Sequence, residues 1–248
     1  AGVLQPVHSK ILDTLIPTQY RDPNGYWYAL SLRARPIIYA IDRVGLQELT
    51  DYEGLTDEKW RGRICVRSSN SIYNQSHIAS MIAHHGVAVA EGWAKGLVSN
   101  FARKPAGGDR DQIRAVASGE CDIALANTYY LAQLAGSENE RDQAAAAAVA
   151  IIWPNQDGTG AHVNVSGAAV TANAKNLTNA VKLIEFLVGD EAQELYAESV
   201  FEYPIRDGLL AAPLVASWGK FKADDLDLSL LGKYNAEAVR IADRVGWP

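Results

Sequence analysis

Short apolar runs alternate with longer segments in which apolar residues recur every three or four positions. RICVR at 63–67 reads as a buried strand, and 74–85 follow with Ile78, Met81 and Ile82 on one helical face. Residues 87–98 carry a second helical pattern, closed by a glycine turn at Gly107 and Gly108. The grammar then repeats. A short helix over 112–116 stops at Gly119, CDIALA at 121–126 is a second buried strand, and a helix begins at Tyr129. Further on, 148–153 and 162–171 read as strands around a polar turn at 154–160, and 177–188 and 191–199 as helices. The last helix covers 233–245, with Tyr234, Ala238, Ile241 and Val245 on one face. Strands alternating with helices predict parallel, doubly wound α/β lobes, though pattern alone does not fix their topology.

Composition narrows the function. With 248 residues, 48% apolar and 21% charged, the chain is large enough for two lobes. A net charge of −6, with Lys and Arg scattered, argues against a nucleic-acid partner. No stretch approaches the ~20 apolar residues that cross a bilayer; the alanine-rich 144–153 is too short and ends at Pro154. Residues 1–10 lack the basic-then-apolar order of a signal peptide, so any export signal lies outside the sequence given. Cys65 and Cys121 form no CxxC pair. Either they form one disulfide between neighbouring strands or they are two buried thiols.

Candidate chemistry sits where strands give way to helices. Asn127-Thr128-Tyr129-Tyr130 follows CDIALA, and Asn127 or Thr128 suits a helix N-cap. On a strand the two tyrosines would point to opposite faces. In a first helical turn they diverge by only ~100° and can converge on one ion. The positive end of the helix dipole favours phenolate over phenol, whose ordinary pKa is near ~10. After RICVR comes Ser68-Ser69-Asn70-Ser71-Ile72-Tyr73, the same arrangement again. Three phenolates make a hard, oxygen-only set matched to hard cations. The plainer alternative is surface packing of tyrosines beside ordinary caps. His84-His85 reads as a surface pair, and His77, four residues from Tyr73, reads as packing or a supporting group. No Ser/His/Asp order, phosphate loop, HExxH or carboxylate pair is present.

RICVRSSNSIYNQSHIASMI, CDIALANTYYLAQL, HVNVSGAAVTANAKN and FEYPIRDG resemble, in that order, blocks of periplasmic ferric-iron-binding proteins of ABC importers, closest to the cyanobacterial iron-deficiency-induced type. The resemblance covers nearly the whole chain. It implies a two-lobed, type II Venus-flytrap α/β fold, with Tyr73, Tyr129 and Tyr130 as Fe(III) ligands in an interlobe cleft. Arg33, Asn70 and Ser71 match positions beside a synergistic anion such as carbonate. The implied lobes are 1–37 with 167–206, and 38–166 with 207–248, crossing near 37–39, 165–167 and 203–204. Family members carry an opening segment before the counterpart of Ala1, so lobe one lacks its N-terminal part here, and the apolar face of 177–188 is expected to be partly uncovered. The implied protein is periplasmic, monomeric when complete, not an enzyme, and hands iron to an inner-membrane ABC permease. The alternatives are a binder of another small solute, an oxyanion or organic cation, on the same fold, and an enzyme on a bilobal α/β scaffold. The latter is disfavoured because the candidate groups are phenols and hydroxyls without an activated nucleophile.

Overall fold

The structure, a computed structural model, describes residues 2–206 and 208–248. The chain opens with β1 (Leu4–Gln5), α1 (Lys10–Leu15), β2 (Tyr28–Ala34) and β3 (Ile37–Ala40). After short 3-10 turns come β4 (Ile64–Cys65), α2 (Ile72–His85), α3 (Val87–Ser99), α4 (Asp109–Ala117) and β5 (Ile123–Leu125). Next are α5 (Thr128–Ala135), α6 (Glu140–Ala147), β6 (Val149–Ile152), β7 (Val163–Ala168) and β8 (Val170–Thr171). The remainder holds α7 (Leu177–Leu187), α8 (Asp190–Val200), β9 (Tyr203–Pro204), α9 (Pro213–Ala216) and α10 (Ser229–Val245).

These elements form two compact units. One comprises Ala1–Arg33, Val163–Gly219 and Asp227–Ser229; the other comprises Ala34–His162, Lys220–Leu226 and Leu230–Pro248. The chain therefore passes between units beside Arg33 and beside His162, so 37–39 lies inside the second unit and 203–204 inside the first. Residues 208–219, expected in lobe two, fall in the first unit because they fold back on α8: Leu209, Leu210, Ala212 and Pro213 line one pocket with Glu194 and Ala197.

The second unit is built on a sheet of order β4-β5-β3-β6. Its core is apolar and fully covered: Ile37, Ile38, Leu55, Trp60, Ile64, Ile78, Leu97, Ile113 and Ile123 are at 0% exposure. Here the expectation of parallel strands needs correction. β4 and β5 run parallel, but β3 is antiparallel to both β5 and β6. The strand enters from the first unit, and no helical crossover from β5 is needed to reach its place. Gly86, at φ 81°, ends α2 with its N–H donating to Ile82 O at 2.9 Å, and α3 starts at once.

In the first unit β7-β2-β9 form one sheet and β1-β8 a two-stranded ribbon. Leu12, Ile16, Val188 and Val215 are buried there. Gln193 pins α8 to the sheet: its Nε2 donates to Leu30 O at 2.6 Å and its Oε1 accepts from Ile205 N at 2.8 Å. α7 buries Ile184 yet leaves Leu183 58% and Phe186 57% exposed, and α8 leaves Leu195 63% exposed. Phe186 and Leu195 line a largely apolar groove across the two helices.

Candidate metal centre

β4 and β5 are adjacent and parallel, with Cys65 opposite Ala124. The chain therefore leaves both strands at the same sheet edge. A disulfide between Cys65 and Cys121 ties the two together. Beyond β4, Ser71 caps α2 by accepting from Tyr73 N–H at 3.3 Å. Beyond β5, Asn127 begins α5. Tyr73 is thus the second residue of one helix, and Tyr129 and Tyr130 the second and third of the other.

The three phenols meet. Tyr73 Oη lies 2.9 Å from Tyr129 Oη and 3.5 Å from Tyr130 Oη. The rings of Tyr129 and Tyr130 are 4.2 Å apart between centroids. Tyr129 is buried; Tyr73 and Tyr130 are half-buried. Burial pushes the Tyr129 phenol up, and its hydrogen bonds to Tyr130 and Tyr73 push it further; a hydrogen bond with Asn127 opposes them. Tyr130 is also raised, first by burial. Without a cation the cluster keeps its protons, because a phenolate there would be poorly solvated.

Beneath the phenols lies Arg35, 1% exposed. Its Nη2 donates to Asn74 Oδ1 at 2.6 Å and to Leu125 O at 3.1 Å, and its Nη1 donates to Asn127 Oδ1 at 3.1 Å. Asp109, also buried, lies 3.6 Å from Arg35 and accepts from Asn127 N–H at 2.9 Å. Asn74 Nδ2 in turn donates to Arg67 O and Ser68 O. One guanidinium thereby fixes both helix starts. Sequence reasoning missed this layer, although an asparagine beside each tyrosine block, in YN and NTYY, was its visible trace.

The remaining candidates divide. Ser71 sits at the site as the cap of the Tyr73 helix, and the exposed Asn70 precedes it, its N–H donating to Ser68 Oγ. Arg33 belongs to the first unit, where Nη2 donates to Val165 O at 2.8 Å and Nη1 lies 3.9 Å from Glu202. His77 is buried, stacked on His162 and edge-on to Tyr52, as packing demands. His84 pairs with the buried Asp224 at 2.9 Å and His85 with Glu53 at 3.1 Å, so the pair is less free than a surface reading implies. Among the described residues, no group of three or more His, Cys, Asp or Glu is arranged to hold a metal.

Residues 1–223 match the model of a family described as bacterial extracellular solute-binding protein. The chain belongs to that family. Solute-binding proteins of this kind are not enzymes, and they work with ABC importers. The chain is 47% identical to iron uptake protein A1 of Synechocystis over 99% of its own length and 68% of that protein's. A Trichodesmium structure in complex with iron and citrate ligands superposes with a TM-score of 0.98 at 49% identity, covering all of this chain and 78% of that one. The ferric binding protein of Campylobacter jejuni gives 0.95 at 39% identity over 100% and 78%. These structures carry the two-lobed type II binding-protein fold, and the family member described here shares it.

Proposed function

We propose that this protein binds Fe(III) through the phenolate oxygens of Tyr73, Tyr129 and Tyr130 and delivers it to an ABC-type iron permease. The observation that carries the reading is the meeting of three phenol oxygens at two helix N-termini, those of Tyr129 and Tyr130 lying 2.9 and 3.5 Å from Tyr73 Oη. Hard oxygen donors suit a hard trivalent ion. Charge favours the ferric state: three phenolates neutralise one trivalent ion, and each phenolate is attracted more strongly to a trivalent than to a divalent ion. Each Fe–O bond releases a phenol proton, so acid reverses loading.

Asn70 and Ser71 flank the Tyr73 helix start, where backbone N–H groups and the dipole suit an anion such as carbonate beside the metal. The disulfide fits an oxidising compartment such as the periplasm. No helix among the described residues is long and apolar enough to cross a membrane; in this reading the permease is an inner-membrane protein that receives the iron. Purified protein titrated with ferric iron, followed by elemental analysis and a visible spectrum, tests the reading. One iron per chain with a phenolate-to-iron charge-transfer band is expected; a colourless protein retaining no iron contradicts it.

A further inference from the structure

Two more guanidiniums stand over the phenol rings. Arg67 Cζ lies 5.2 Å from the centroid of Tyr73, and Arg110 Cζ 5.9 Å from that of Tyr130. Carboxylates do not balance them. Asp109 lies between Arg35 at 3.6 Å and Arg67 at 3.5 Å, so one buried carboxylate is shared by two cations. Asp142, which feels Arg110, is engaged by Arg114 at 2.8 Å, and among the described residues Arg110 makes no ion pair. Arg110 is exposed, and the Arg67 side chain keeps 25% of its surface. On a chain of net charge −6, the iron-free centre is therefore locally cationic.

That sign bears on how iron arrives. A bare trivalent ion approaching neutral phenols would meet guanidiniums first, and repulsion slows encounter. An anionic complex meets attraction, and a guanidinium presents paired N–H donors that match a carboxylate. We propose that Arg67 and Arg110 form a cationic rim that captures iron as an anionic ferric carboxylate chelate, ahead of transfer to the phenols. This rests on the ferric reading above. In the transfer, each Fe–O bond to a carboxylate breaks as an Fe–O bond to a tyrosine forms. The phenol proton passes to the released carboxylate or to water, and iron stays ferric throughout.

The test uses ferric citrate, with sodium citrate alone as the free-anion arm. Stopped-flow absorbance follows the growth of the charge-transfer band in wild type, in Arg67→Gln/Arg110→Gln and in Arg67→Lys/Arg110→Lys, at low and high salt. The Gln pair should load about tenfold more slowly at low salt and lose its salt dependence. The Lys pair should retain most of the rate and the salt dependence, which separates charge from a packing role. Calorimetry of iron-free protein with sodium citrate separates the sources: weak binding of citrate alone with fast loading from the chelate supports chelate capture, and citrate binding as tight as the chelate's overturns it. Equal loading rates and salt slopes in all three proteins overturn the rim. Circular dichroism checks folding; if the double variant unfolds, Arg110→Gln alone gives the same comparison, since Arg110 makes no ion pair among the described residues. Absence of the band in wild type would instead overturn the ferric reading.

Discussion

Arg35 donates to Asn74 Oδ1 at 2.6 Å, and the same guanidinium holds Asn127 Oδ1 at 3.1 Å. Asn74 adjoins Tyr73, and Asn127 stands two residues before Tyr129. The two helix starts that carry the phenols are thus tied from below by one buried cation, in addition to the contacts among the phenols themselves. Arg35→Gln removes the fork and leaves the buried Asp109 with Arg67 alone, at 3.5 Å. A loss of about 3 kcal/mol in denaturant stability is expected, with weaker iron retention because the helix starts are no longer held together. Unchanged stability and iron stoichiometry would show that the helices hold their own positions.

The disulfide closes a loop with a sequence separation of 56. On the chain-entropy model, constraining the unfolded chain over that loop contributes about 4 kcal/mol. Denaturant unfolding with and without reductant should differ by that order. In the unreduced, unfolded protein, alkylation should label no cysteine. Two labelled cysteines would contradict the bond.

Acid should weaken the fold as well as the metal site. His77 and His162 are stacked and buried; burial holds His77 well below the usual imidazole range and lowers His162 to about 3. In the unfolded chain an imidazole titrates near ~6.5. Between these values the unfolded state binds more protons, so stability is full above the unfolded pKa and falls as pH drops from about 6.5 towards 3. The loss is on the order of a few kcal/mol. His162→Gln should flatten this slope in the iron-free protein, as measured by denaturant midpoints across pH; an unaltered slope would place the effect elsewhere.

Much of the centre was legible because it is local. A buried strand, a polar cap and a tyrosine two or three residues later is a pattern that strand and helix periodicity expose directly, and it recurs at Tyr73 and at Tyr129-Tyr130. The antiparallel placement of β3 was not legible, because pairing between residue 37 and residues 125 and 152 is non-local. Nor could the sequence separate Arg33 from Arg35. Two positions apart they look alike, yet the first ends on Val165 and Glu202 while the second, in the link between β2 and β3, turns into the second unit's core.

The exposed apolar face of α7 and α8 predicts self-association. Leu183, Phe186 and Leu195 together make a patch of the kind that drives contact between chains. Leu183→Gln with Phe186→Ser should lower the apparent size in dynamic light scattering at high concentration, while changing stability by only about 0.5 kcal/mol. Identical scattering in both proteins would mean the face is inert.

The tyrosine assignment itself is tested by Tyr129→Phe/Tyr130→Phe. Both rings, and hence their packing, remain; the two oxygens go. Iron-loaded variant and wild type, matched for folding by circular dichroism and passed through gel filtration, are compared for bound iron and visible absorbance. Loss of the charge-transfer band together with loss of iron is the predicted result. A variant that keeps both colour and one iron per chain would contradict phenolate ligation by Tyr129 and Tyr130.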